Sequence, residues 1–211
     1  MLEFLKQLTN PESIIQYGGL ALLLFVVFAE TGLLIGFFLP GDSLIFISGM
    51  LCVSHNDLLG VNIFVLVISL SLAAILGNIA GYWFGKKVGV SLFTKKDSII
   101  FKKKYLEITQ DFYNKNGGKT LILGRFLPII RTFAPILAGV INIDFKKFML
   151  YNILGAFGWV ALLAGVGYYF GMYKWVQNNL SYIVIGFIIV TLIPLMITYF
   201  KKKKYAINNK T

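Results

Sequence analysis

Six apolar runs, at about residues 18–39, 43–53, 61–84, 120–141, 148–170 and 180–200, constrain this chain more than any other feature. Four or five of them reach the roughly 20 residues that carry a helix across about 30 Å of hydrocarbon. The chain has 57% hydrophobic and only 14% charged residues among 211, with a mean hydropathy of +0.77, which is too apolar for a soluble domain of that length. The expected class is an all-α polytopic membrane protein, one membrane domain over residues 1–211, because only helices or closed barrels satisfy their backbones in lipid. Glu3 and Glu12 dilute the positive charge of the N-terminus, and the apolar run that follows lacks a small-residue cleavage pattern. The first segment is therefore expected to be retained.

Two basic stretches interrupt the runs. The linker, residues 85–119, carries nine lysines, and the tail, residues 201–211, carries Lys201 to Lys204 and Lys210. Both are expected on the cytoplasmic side, with anionic lipid rather than nucleic acid as their counter-charge, since no base-stacking module accompanies them. Parity then requires that one of the three runs between linker and tail does not cross. Run 120–141 is the candidate, because Arg125, Pro128, Arg131 and Pro135 make it a poor lipid-facing helix. It is expected to form a re-entrant hairpin from the cytoplasm. The run 43–53 is too short to span and follows Pro40 and Gly41, so a second hairpin near 30–53 is expected to open to the outside, with Ser54 to Gly60 as an external turn. Apolar positions between 91 and 115 fall close to one helical face, predicting an interfacial helix stopped at Asn116-Gly117-Gly118.

The halves repeat. Phe38-Leu39-Pro40 recurs 88 residues later as Phe126-Leu127-Pro128, and Gly81-Tyr82-Trp83-Phe84-Gly85 recurs 86 residues later as Gly167-Tyr168-Tyr169-Phe170-Gly171. One net crossing between equivalent elements would invert the halves, so the expected architecture is an inverted repeat, residues 18–84 and 120–200, with two opposed re-entrant hairpins and additional transmembrane helices.

Charge placement identifies the candidate site. Arg125 and Arg131 are the only arginines and share run 120–141, while all eighteen lysines lie outside the long apolar cores. Glu30 sits within run 18–39 and Asp42 at the Pro40-Gly41 break; the other seven carboxylates lie in linkers or near ends. Each intramembrane charge costs about 2.5–3.5 kcal/mol on insertion scales, so the four should face one another or a wet cavity. The arginine fork grips phosphate or carboxylate through two donors, as lysine does not. Arg125 and Arg131 are candidates for binding a phosphate, Glu30 and Asp42 for proton coupling or gating, and Pro40, Gly41, Pro128 and Pro135 for breaking the hairpins. On a continuous helix the two arginines would point about 120° apart, and a break at Pro128 would let both turn to one ligand. The same four charges would also serve as a purely structural set in which the arginines neutralise the acids.

Other polar residues exclude more than they suggest. Cys52 and His55 stand alone of their kind, so no disulfide, zinc site or other metal site is expected, and no cofactor. His55 reads as a turn residue. Asn78 and Asn152 read as interhelical hydrogen-bonding groups, and Gly77, Gly81 and Gly85 as a packing face.

These residues resemble the DedA family of bacterial membrane proteins, related to eukaryotic VTT-domain lipid scramblases. The resemblance rests on Phe28-Ala29-Glu30, Phe38-Leu39-Pro40-Gly41-Asp42 and Gly49. In the second half it rests on Gly124-Arg125-Phe126-Leu127-Pro128, Arg131, Ala138-Gly139, Phe148, Asn152, Gly155 and Trp159, and it extends over about residues 15–200. It implies two opposed re-entrant hairpins and a bacterial cytoplasmic-membrane protein that moves lipid. Glu30 and Asp42 match the family's essential acids, and Arg125 and Arg131 its essential arginines. The implied activity is proton-motive-force-linked return of undecaprenyl phosphate, or another polyprenyl phosphate, for cell-envelope precursor recycling. Movement of a phospholipid such as phosphatidylethanolamine is the alternative, and a non-transporting scaffold a third. A phosphatase would need a better-placed histidine than His55, so no enzyme activity is expected. The sequence leaves monomer and homodimer open.

Overall fold

The computed structural model describes residues 11–33, 39, 41–54, 59–88, 103–179 and 186. All regular structure among them is helical. The longer elements are α1 (Pro11–Gly32), α2 (Gly41–Ser54), α3 (Ile63–Val88), α4 (Lys103–Asn116), α5 (Thr120–Leu123), α6 (Pro128–Val140), α7 (Phe145–Gly171) and α8 (Lys174–Asn178), with single 3-10 turns at Gly117–Lys119 and Gly124–Phe126. α1 kinks at Gly19, whose φ of 53° a side chain would resist.

Only α3 and α7 among the described residues are long and apolar enough to cross a membrane. At 26 and 27 residues they measure about 39 and 40 Å. Their outward faces are apolar too: Phe64, Ile68, Leu72 and Leu76 on α3, and Leu150, Leu154 and Phe157 on α7, are exposed. A helix apolar all round calls for hydrocarbon, not water, on its free side.

The two long helices run antiparallel. Asn78 donates to Asn152 Oδ1 at 2.7 Å, Asn152 donates to the Ile75 carbonyl at 3.2 Å, and the Tyr82 ring packs tilted against Phe148 and Phe145. Positions rising along α3 thus meet positions falling along α7. The end of α3, with Lys86 and Lys87, lies beside the start of α7, with Lys146 and Lys147.

Each short helix is seated on the long helix of the other half. α2 packs chiefly on α7 and α6 on α3. The seats are glycine contacts, where a Cβ on Gly49 would fall on the carbonyl of Ala164, one on Gly167 on that of Phe46, one on Gly85 on that of Ile136, and one on Gly139 on that of Tyr82. Close backbone approach of this kind is how membrane helices gain packing without a hydrophobic drive. α2 runs parallel to α7 and α6 parallel to α3, so the short helices point to opposite ends of the molecule while their N-termini meet between. Two apolar clusters result, one around α2 and one around α6.

Several expectations need adjustment. The linker placed from residue 85 begins later, because α3 continues through Lys86 and Lys87 to Val88. A helix is present in that segment as α4 and ends at Asn116, where Gly117 turns with φ +56°; residues 91–102 of the segment lie outside the described residues. So do Pro40, His55, Asn56, the run 180–200 apart from Gly186, and the tail. Pro135 breaks nothing: it lies inside α6. A proline seven residues into a 13-residue helix removes one backbone bond, here to the Arg131 carbonyl, and the seat on α3 holds the helix together.

Candidate functional site

The junction of the two short helices collects the charged residues. Glu30 arrives two residues before the end of α1, Asp42 is the second residue of α2, and Arg131 the fourth of α6. The chain can aim Arg131 inward because Leu127 is extended (φ −120°, ψ 107°) and Pro128 starts α6 with its φ already helical. Gly41 is the complementary device on the other side. A Cβ there would fall on the Glu30 carboxylate, so glycine lets the acid reach the start of α2 and accept the Gly41 backbone N–H.

Arg131 spreads its fork over both acids. Nη2 donates to Glu30 Oε1 and Nη1 donates to Asp42 Oδ1 at 2.5 Å. The indole of Trp159, from α7, donates to the same Asp42 oxygen at 3.0 Å. Glu30 is 4% exposed and Arg131 9%, so this pair is shielded from bulk solvent, while the Asp42 side chain is partly exposed at its edge. Breaking such a buried set by removing one member leaves uncompensated charge.

Arg125 behaves differently. It is also 4% exposed, in the 3-10 turn ahead of Leu127, yet no carboxylate is within ion-pair distance of it among the described residues. Its Nη2 donates to Asn152 Oδ1 at 3.2 Å and, more weakly, to the Asn152 carbonyl at 3.5 Å. Turned over, the Asn78 amide would offer its oxygen to the same nitrogen at 2.7 Å. The Nε atoms of both arginines are buried without a hydrogen-bond partner. The arrangement in which arginines merely neutralise acids therefore describes Arg131 and leaves Arg125 as a cation held by amides.

Sequence reasoning located all four charges but read Asn78 and Asn152 as packing groups alone. They bond across α3 and α7 as expected, and Asn152 also holds Arg125. Trp159 was not picked out as a site residue; the available signal was an indole N–H on an apolar helix, which needs an acceptor when buried. Among the described residues no cluster of His, Cys, Asp or Glu is arranged to hold a metal ion.

Next to this centre, Arg125, Phe126, Leu154, Gly155, Gly158 and Trp159 line a cavity of about 220 Å³. Phe126 and Trp159 pack edge to face across it, with centroids 4.9 Å apart.

Comparison with known proteins adds a family to this geometry. The family model described as the VTT domain matches residues 39–169. Protein DedA of Escherichia coli is 42% identical over 198 residues, which is 92% of this chain and 89% of that protein. An uncharacterized membrane protein of Mycobacterium tuberculosis is 39% identical over 83% of this chain and 76% of its own length. Inner membrane protein YqjA of Escherichia coli is 31% identical over 79% of this chain and 73% of its own. No solved structure matches the chain.

Proposed function

Because this chain belongs to the DedA family of VTT-domain membrane proteins, we propose that it carries a phosphate-bearing lipid, specifically undecaprenyl or another polyprenyl phosphate, between the leaflets of a bacterial cytoplasmic membrane. The relatives named as membrane or inner membrane proteins support that location. The observation that carries the reading is the buried centre itself, two arginines and two acids where the N-termini of α2 and α6 meet. Each helix N-terminus contributes roughly half a positive charge, so with both acids ionised the centre holds about one surplus positive charge, suited to an anionic headgroup.

In this reading α2 and α6 belong to two opposed re-entrant hairpins of an inverted repeat. Support comes from their opposite directions, from the exchanged seats on α7 and α3, and from the two antiparallel spanning helices. The pairs Lys86–Lys87 and Lys146–Lys147, at one end of the molecule, mark the cytoplasmic side, where the linker and tail would lie against anionic lipid.

Protons enter through the acids. When Glu30 or Asp42 takes up a proton, Arg131 loses part of its ion pair and its fork becomes available to phosphate beside Arg125. Phosphate and proton then load together, and because the linkage is reciprocal each favours the other. No bond to the lipid is made or broken.

The test is leaflet-resolved transport in proteoliposomes, with polyprenyl phosphate and phosphatidylethanolamine as parallel substrates. Arg125→Lys and Arg131→Lys are each expected to impair transport strongly although charge is retained, because a lysine lacks the fork. Normal transport by both variants would reduce the arginines to charge balance. Faster movement of phosphatidylethanolamine would make the protein a phospholipid scramblase, and no movement by a folded protein would leave a scaffold.

A further inference from the structure

The cavity beside Arg125 is open along the flank of α7 rather than buried in the bundle. Leu154 and Phe126, which line it, and Leu123 and Phe157, which flank it in sequence, are exposed apolar residues. Gly155 and Gly158 lie 10 and 13 residues from the start of α7, about 15–20 Å along a helix of about 40 Å, so the cavity sits near mid-depth. Its wall is apolar except for Arg125, whose Nε is buried without a partner. At about 220 Å³ it falls below the roughly 300–1,000 Å³ of closed small-molecule pockets, and so takes a segment of a chain rather than a whole ligand.

Resting on the lipid-phosphate reading above, we propose that this groove seats the first part of the hydrocarbon chain of a lipid monophosphate, with its phosphate on Arg125 and the rest of the chain outside in the bilayer. Charge complementarity selects this occupant. A neutral lipid would leave a dry guanidinium without a counter-charge, whereas a phosphate on a single chain supplies the anion and the apolar body together. The division of labour between the arginines follows: Arg125 receives the lipid first, while Arg131 holds the acids until one of them is protonated. Glycine at 155 and 158 keeps the groove open. A Cβ at Gly155 would press on Arg125 Nε, whereas one at Gly158 meets nothing within 4 Å, so a larger residue at 158 would grow into the groove without striking the backbone.

Gly158→Leu is thus a plug. Gly165→Leu is its control, because Gly165 is on the same helix, also has open space at its Cβ and lies outside the groove. The full-length protein is reconstituted in phosphatidylcholine nanodiscs with a polyisoprenyl monophosphate carrying a photoreactive diazirine near the headgroup, and the labelled peptides are mapped. Labelling is expected on Phe126 and on 154–159. It should fall about tenfold in Gly158→Leu, the loss expected when contact worth about two methylene groups is displaced, and stay unchanged in Gly165→Leu. The corresponding polyisoprenol should label weakly, and inorganic phosphate at the same concentration should not compete. Equal labelling by both leucine variants, equal labelling by the alcohol, or displacement by inorganic phosphate would each overturn the proposal. Mapping on the unsubstituted protein decides it even if a variant fails to fold, because labelling confined to other segments also overturns it. Transport in matching vesicles separates this inference from the function it rests on: labelling without translocation keeps the groove and removes the translocase, and translocation without labelling does the reverse.

Discussion

At the scale of single residues, the two arginines differ in what their loss would do. Arg131→Ala strands the buried Glu30 carboxylate and the partly buried Asp42 carboxylate, and a cost of about 3–5 kcal/mol is expected. Arg125→Ala strands only amide oxygens, for about 1–3 kcal/mol. Thermal unfolding in detergent, followed by the monodisperse fraction, should rank Arg131→Ala clearly below Arg125→Ala; the opposite order would refute the assignment of partners. The acids make a separate prediction. If proton and phosphate bind together as proposed, lipid-phosphate binding by the unsubstituted protein should tighten as pH falls, until the lipid phosphate itself protonates. Glu30→Gln mimics the protonated acid, so it should bind lipid phosphate without that pH dependence and lose coupled transport. If Glu30→Gln, Asp42→Asn and the unsubstituted protein share one pH profile, the carboxylates do not couple. The sequence exposed these four charges because charge is conspicuous in an apolar run. It did not expose their pairing, since which acid meets which arginine depends on the extended backbone at Leu127, and an asparagine that holds an arginine looks no different from one that holds a helix.

At the scale of elements, the glycine seats decide whether the bundle closes. Gly49→Val and Gly85→Val would each drive side-chain atoms into a facing carbonyl, and overpacking of this sort costs about 1–3 kcal/mol or more. Both are expected to lower the unfolding temperature and the yield in the membrane, while Gly165→Ala, facing open space, should be neutral. A tolerated valine at either seat would mean that the short helices do not pack as described. The spans of α3 and α7 and the stop after α4 were legible from hydropathy and from Asn116-Gly117-Gly118. Pro128 was legible as a break and Pro135 was misleading as one. The difference is physical: a proline at the first helical position is free of cost, and one inside is tolerated only where a neighbouring helix holds its turn, which no local pattern reveals.

At the scale of the whole molecule, orientation is the remaining expectation to check. Cysteine replacing Lys115 or Lys147 should be protected from an impermeant external reagent and cysteine replacing Asn178 should react, against little background from buried Cys52; external reaction at position 115 would reverse the topology. The recurring motifs carry order and spacing but not which half seats which helix, because short matches hold no information about partners. That exchange has a bearing on how the protein is made. Ser54 ends α2, and its seat begins 110 residues later at Ala164, which at about 5–20 residues per second is about 5–20 s of synthesis. Arg131 itself follows Ser54 by 77 residues, so for about 4–15 s of that interval Glu30 and Asp42 lack their arginine, and throughout it α2 is without the surface that holds it. The nascent first half must therefore be sheltered by the insertion machinery or remain near the interface, and ribosome stalling between residues 60 and 120 should leave it exposed to membrane proteases.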